Sequence, residues 1–178
     1  MPARWFWASY LVLAFAVIPS LFRCRYGRWP YAYPLRRADA YLWTDLAFGA
    51  LTIGLAFYLF LADPRSGSAA AHRAGLALGL IAIAIMIRAI LSLGPAWRIG
   101  QDRSETHLAR IATGPYRVLR HPIYLGLILL AIAIVMMAGA TIYTSLFALA
   151  TIAYSLIQAH REDRRWAATA PAYPLSRE

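Results

Sequence analysis

The sequence predicts an all-α, polytopic membrane protein with about five transmembrane helices. Of its 178 residues, 61% are apolar and only 15% are charged, whereas a soluble domain is about 45–50% apolar. Five uncharged or nearly uncharged stretches of 17 to 21 residues recur along the chain, and about 20 such residues cross the hydrocarbon core. This composition excludes a disordered chain, and the single cysteine excludes an intrachain disulfide scaffold.

The predicted spans are, in order, residues 5–22, 42–62, 75–93, 123–139 and 141–159. A signal peptide is the alternative for the first span, but the arginines follow it, and Trp5 and Trp7 suit an interfacial belt. We therefore expect a single membrane domain over residues 1–178. Residues 1–93 would supply three spans, and residues 94–178 two spans and a cytoplasmic tail.

The last two spans form one uncharged run of 37 residues. As a single helix this run would be about 55 Å long, nearly twice the hydrocarbon thickness. The chain must therefore fold back on itself. Gly139 is the predicted break, and Thr141 is the predicted cap of the returning helix. The sequence thus predicts a tight helical hairpin at this point.

The positive charge is distributed very unequally between the two predicted faces. All 18 basic residues are arginine, the net charge is +10, and 14 of these arginines follow the first, third or fifth span. The positive-inside rule then places the N-terminus outside and the C-terminus in the cytoplasm, and we expect a bacterial inner membrane. The basic face suits anionic lipid headgroups, so nucleic acid is not an expected partner.

Polar residues that could carry chemistry concentrate just before the fourth span. Gly114 and Pro115 predict a turn, and Pro122 suits the first position of a helix. Free backbone N–H groups, Arg117 and Arg120 would together make an anion site at this helix start. The alternative is that both arginines only reach lipid headgroups.

Residues 113–126 read Thr-Gly-Pro-Tyr-Arg-Val-Leu-Arg-His-Pro-Ile-Tyr-Leu-Gly. This string resembles the integral-membrane methyltransferases that include protein-S-isoprenylcysteine carboxyl methyltransferase and phosphatidylethanolamine N-methyltransferase. Leu93-Gly94-Pro95-Ala96-Trp97 and Arg88 add to the resemblance, which covers about residues 88–173. The tail differs, because Gln158 stands where the family usually has an arginine.

The resemblance implies an S-adenosylmethionine site within a methyltransferase core at residues 94–178. The cofactor-binding residues it implies are Tyr116, Arg117, Arg120, His121, Pro122, Tyr124, Gly126 and Glu162. The catalytic residues it implies are Arg120, His121 and Glu162. No metal is expected, because the four histidines lie far apart in sequence.

These residue types match the groups of S-adenosylmethionine. Arg120 and the helix start at Pro122 can hold its carboxylate, and Glu162, or less readily Asp163, its ammonium or ribose hydroxyls. A tyrosine, at position 116 or 124, can cover the adenine, and Gly126 allows close approach. Each residue also has a structural alternative. Tyr124 would be an interfacial anchor, Gly126 would be a packing residue, and Glu162 would be a solvated partner of a nearby arginine.

Two interpretations of His121 remain open at this point. It is a general base for an amine acceptor, or it orients ligand beside the helix start. We favour the second, because a carboxylate acceptor is already a nucleophile and positioning supplies most of the rate. Two ionisable residues inside predicted spans, Arg88 and Asp45, are weaker site candidates.

The expected methyl acceptor is lipophilic and enters from the bilayer. By resemblance it is the carboxylate of an isoprenylated cysteine or a similar small lipid-like molecule, and a phospholipid amine is the second choice. The further alternatives are an NADPH-dependent sterol-type reductase and a non-enzymatic membrane scaffold. The expected partners are this acceptor and membrane lipids.

Overall fold

The computed structural model describes residues 1–30, 40–64, 68–98 and 111–169. Within these ranges the regular elements are all helical. The helices are α1 (Ala3–Val12), α2 (Ile18–Tyr26), α3 (Ala40–Ala62), α4 (Ala69–Leu93), α5 (Pro122–Ala138) and α6 (Ile142–Thr169). A π-helical segment, Leu13–Val17, joins α1 to α2.

The membrane-spanning helices confirm the predicted fold class. Four helical stretches are long and apolar enough to cross a bilayer: Ala3–Tyr26, Trp43–Ala62, Ala69–Ala96 and Ile142–Arg164. Helix α5 is the shorter fifth apolar helix, with 17 residues and a length of about 26 Å. The protein is therefore an integral membrane protein with about five spans. Helix α2 is followed by Gly27, whose φ of 70° is a left-handed conformation typical of helix C-termini.

The structure also confirms the hairpin between the fourth and fifth spans. Gly139 has a φ of 89° and donates its N–H to the carbonyl of Val135 over 2.8 Å, which ends α5. Thr141 accepts the N–H of Thr144 at its Oγ1 over 3.2 Å and so caps α6. Because only three residues separate the helices, α5 and α6 leave this turn side by side.

Helix α6 extends further than the predicted span. The sequence places the end of the fifth span at residue 159 and a tail after it, whereas α6 continues to Thr169. Glu162 and Asp163 therefore stand on the helix that crosses the membrane. Their positions are fixed by the rotation of α6 and not by a separate loop.

Glycines permit the close packing of α4 against α5. A Cβ atom added to Gly75 would lie 2.8 Å from the carbonyl oxygen of Ala133. A Cβ atom added to Gly126 would lie 2.3 Å from Cγ of Met86. A larger residue at Gly75 would clash with backbone and push the two helices apart, and a larger residue at Gly126 would displace the Met86 side chain.

The contacts at the two ends of the bundle are those expected if successive helices cross the membrane in opposite directions. At one end, His72 contacts the carbonyl oxygens of Met1 (2.8 Å) and Met137 (3.0 Å) through its two ring nitrogens. At the other, Arg28 donates to the carbonyl of Pro95. This second end also holds residues 114–122, and we call it the motif end.

Candidate functional site

The turn before α5 is built on the end of α4. Gly114–Arg117 is a single 3-10 turn, as predicted, and Gly114 has a φ of 57°. A Cβ atom at Gly114 would lie 2.1 Å from Oγ of Ser92, and that hydroxyl donates to the carbonyl of Arg88 over 2.8 Å. Glycine is therefore favoured at position 114 for two reasons, its left-handed backbone conformation and its lack of a side chain beside Ser92.

Helix α5 begins at Pro122, as predicted, and His121 is its N-cap residue. The His121 side chain makes no capping hydrogen bond. It points instead to α6, where its Nδ1 lies 3.3 Å from Oε2 of Glu162 and its Nε2 lies 3.0 Å from Oδ1 of Asp163. One imidazole ring thus contacts two carboxylates on successive residues.

The two carboxylates change the titration of His121. The hydrogen bond with Glu162 raises the pKa of His121, burial acts in the opposite direction, and the hydrogen bond and charge of Asp163 raise the pKa further. The net result is a pKa above the ordinary histidine value. The environment therefore favours the charged imidazolium, which donates from both ring nitrogens.

Glu162 is held from a second direction by Tyr124. The Tyr124 hydroxyl donates to Oε1 of Glu162 over 2.5 Å, a distance typical of a bond to an ionised carboxylate. The rings of Tyr124 and His121 lie 5.8 Å apart between centroids. We call His121, Tyr124, Glu162 and Asp163 the His121 cluster.

Tyr116 lies within the electrostatic reach of this cluster. Burial raises the pKa of the Tyr116 phenol, and the negative charge of Glu162 raises it further. The phenol therefore stays neutral and can act as a hydrogen-bond donor or as an aromatic surface.

Arg117 and Arg120 are exposed at the motif end. No hydrogen bond or ion pair to another described residue engages either guanidinium group. Both groups are therefore available to an anion at the start of α5, or to lipid headgroups. Both roles stay predictions.

Pro122 and Gly126 are buried. The missing side chain of Gly126 faces Met86 of α4, which matches the packing alternative for this residue. Its role as a cofactor contact stays a prediction. Arg88, the ionisable residue of the third predicted span, is exposed.

The partners of the acidic pair were not predicted from the sequence. Among the described residues, Glu162 contacts His121 and Tyr124 and not a nearby arginine, and its role as a cofactor contact stays a prediction. Arg161 donates to Thr44 instead. The spacing of His121 and Tyr124, three residues apart at a helix start, is the signal that predicts a shared face.

A second group of polar side chains joins α3 to α6. Asp45 accepts hydrogen bonds at Oδ1 from the Tyr154 hydroxyl and from Nε2 of Gln158, both over 2.8 Å. Gln158 is 2% exposed. The weak candidate Asp45 is thus part of a hydrogen-bonded group, and Tyr154 was not identified from the sequence.

Comparison with protein families gives a match that covers the site. The model of the isoprenylcysteine carboxyl methyltransferase family matches residues 75–167, slightly more than half of the chain. This range includes the Gly114–Arg117 turn and the whole His121 cluster. Neither the curated proteins nor the solved structures gave a significant match.

Proposed function

The chain belongs to the isoprenylcysteine carboxyl methyltransferase family and is a membrane methyltransferase, and we propose that its methyl donor is S-adenosylmethionine. We propose as acceptor the carboxylate of an isoprenylated cysteine or of a similar small lipid-like molecule. The observation that carries the proposal is the His121 cluster, which joins the start of α5 to the acidic pair of α6. Family membership disfavours the reductase and scaffold alternatives.

The residues at the motif end fit the groups of S-adenosylmethionine. Arg120, with Arg117 beside it, would bind the carboxylate, since both guanidinium groups are exposed and pair well with carboxylates. The uncapped start of α5 at Pro122 adds backbone donors. Glu162 is 33% exposed and keeps lone pairs for the ammonium or the ribose hydroxyls. The ring of Tyr116 would cover the adenine.

His121 acts in this proposal as a positioning residue for the two carboxylates. Both of its ring nitrogens face carboxylate oxygens, and its raised pKa keeps the ring charged. A ring in this state has no free lone pair with which to remove a proton. These contacts therefore support the positioning interpretation over the general base.

The reaction itself makes small demands on the protein. Bound S-adenosylmethionine supplies an electrophilic methyl group on a sulfonium, which is a good leaving group. An acceptor carboxylate is already a nucleophile, so the chain must hold the two reactants in line and exclude water. The hydrogen-bonded His121 cluster and the adjoining helix start would serve that purpose.

The acceptor would reach the site from the lipid. Helices α3 and α6 expose apolar side chains along their length, among them Phe57, Leu61, Leu149 and Leu156, so the bundle lies open to acyl or prenyl chains. A prenylated acceptor partitions into the bilayer before it binds. The 14 arginines that follow odd-numbered spans support a cytoplasmic motif end in a bacterial inner membrane, with the N-terminus outside.

Methyl transfer to defined acceptors tests this proposal. Purified protein in liposomes would receive methyl-labelled S-adenosylmethionine and either an isoprenylated cysteine or phosphatidylethanolamine. We expect label in the isoprenylated cysteine, released by mild alkali as from a methyl ester. Label that stays on the phospholipid amine after alkali would refute the carboxylate acceptor.

A further inference from the structure

A polar contact on α3 lies outside the part of the chain that matches the family. We propose that Asp45 is a positioning residue that fixes the segment of α6 carrying Glu162. The inference rests on the proposed function, because it assigns Asp45 a role in the binding of S-adenosylmethionine. Residues 75–167 match the family, so the match does not extend to α3.

The contact is a single carboxylate oxygen shared by two donors. The Tyr154 hydroxyl and Nε2 of Gln158 each donate to Oδ1 of Asp45 over 2.8 Å. The ring of Phe48, one turn along α3, stacks on Tyr154 with a centroid distance of 4.1 Å and an interplanar angle of 3°. Flat stacking and two hydrogen bonds together restrain α6 against both rotation and sliding.

The donors lie on one side of α6. Tyr154 and Gln158 are four residues apart, which places them on the same face of a helix. Arg161, three residues further on, donates to Oγ1 of Thr44 over 3.2 Å. The contact with α3 therefore continues along α6 up to the residue just before Glu162.

Glu162 lies four residues beyond Gln158, and so about 6 Å along the helix axis. Its carboxylate contacts α5 through Tyr124 and His121, while the preceding turn contacts α3 through Asp45. This segment of α6 is thus held from two helices. A rotation of α6 that released Gln158 would move Glu162 by a comparable amount, because one helical turn behaves as a rigid unit.

The burial of Gln158 makes its contact with Asp45 costly to break. Its side chain is 2% exposed, so water cannot readily replace the carboxylate as acceptor. Removal of Asp45 takes away one acceptor of this buried amide, and we expect α6 to shift in response. Misplacement of a binding group by about 1 Å can cost up to about 100-fold in rate. A small shift of Glu162 is therefore expected to weaken cofactor binding measurably.

Calorimetric titration with S-adenosylhomocysteine, without acceptor, tests the inference on full-length protein in detergent. Asp45→Leu, which accepts no hydrogen bond, is expected to weaken binding at least about fivefold. Asp45→Asn keeps an oxygen that accepts two donors and is expected to bind within about twofold of the parent. If Asp45→Asn binds as the parent does and Asp45→Leu does not, position 45 must accept hydrogen bonds but need not carry a charge.

Thr52→Val is the matched control on the same helix. Thr52 is 5% exposed, and its hydroxyl donates within α3 to the carbonyl of Phe48 over 2.8 Å. We expect this variant to lower thermal stability and to leave the affinity for S-adenosylhomocysteine unchanged. A general weakening of α3 would instead reduce affinity in both the Thr52 and the Asp45 variants, and that result would overturn the inference.

A second variant keeps the test decisive if Asp45→Leu does not fold. Gln158→Leu removes the amide from the same contact without leaving a buried polar group behind, and we expect it to weaken binding at least about threefold. Parent-like affinity in the folded variants would overturn the role of Asp45 while leaving the proposed function intact. Absence of binding to the parent would overturn the proposed function and this inference with it.

Discussion

Removal of the Tyr124 hydroxyl should measurably destabilise the bundle. Tyr124→Phe keeps the ring and deletes only the donor that contacts Glu162 over 2.5 Å. A hydrogen bond to a charged group contributes about 1.5–3 kcal/mol. The Glu162 side chain is 33% exposed, so water competes for it and we expect the lower end, about 1.5 kcal/mol.

This free energy translates into a measurable shift of the melting temperature. For a domain of this size, 1 kcal/mol corresponds to about 2–4 °C, so Tm should fall by about 3–6 °C. Thermal unfolding in detergent without ligand, followed by circular dichroism, gives this value. The variant should also bind S-adenosylhomocysteine more weakly. Of the two described side chains that contact Glu162, only His121 would remain.

Tyr143→Phe provides the comparison on α6. Tyr143 lies beside the hairpin turn, far from the motif end, and is 60% exposed. Its ring packs against that of Tyr58 at a centroid distance of 4.7 Å, and phenylalanine preserves this contact. An equal Tm for the Tyr124 and Tyr143 variants would refute the role of the Tyr124 hydroxyl in holding Glu162.

Three further predictions test the charges and the orientation. Arg120→Lys should weaken S-adenosylhomocysteine binding in calorimetry at least about tenfold, since lysine cannot form two parallel bonds to a carboxylate; Arg164→Lys, an exposed control, should bind as the parent does, and equal affinities would refute bidentate binding. The raised pKa of His121 means that its ion pairs stabilise the fold below about pH 6.5 and that this contribution is lost as pH rises through the raised value. The Tm difference between parent and His121→Gln should therefore be largest near pH 6.5 and should shrink as the pH rises through the raised pKa of His121. A Tm difference that does not change with pH would contradict the ion pairs. In intact cells an impermeant thiol reagent should label Ala70→Cys in a Cys24→Ser background and should not label Cys24 of the parent; the reverse pattern would invert the topology.

Features set by neighbouring residues could be predicted from the sequence. Hydropathy and length predicted the spans, Pro122 predicted the start of α5, and Gly139 with Thr141 predicted the hairpin turn. Each of these rests on the backbone preference of one residue or on the composition of one segment. The structure confirmed them because no distant contact is needed to produce them.

Contacts between helices could not be predicted in the same way. His121 and Asp163 are 42 residues apart, and Asp45 and Gln158 are 113 apart. Which side chains meet depends on how α6 is rotated against α5 and α3, and hydropathy does not determine that angle. The family resemblance pointed to Glu162, whereas its partners His121 and Tyr124 became visible only in the structure.

The central claim is that the start of α5 and the acidic pair of α6 form one site for S-adenosylmethionine. Calorimetric titration of S-adenosylhomocysteine into the parent and into Glu162→Gln tests it most directly. Loss of a hydrogen bond to a charged group costs about 1.5–3 kcal/mol, so the parent should bind and Glu162→Gln should bind at least about tenfold more weakly. Equal affinity in the two proteins, or no binding by the parent, would contradict the claim.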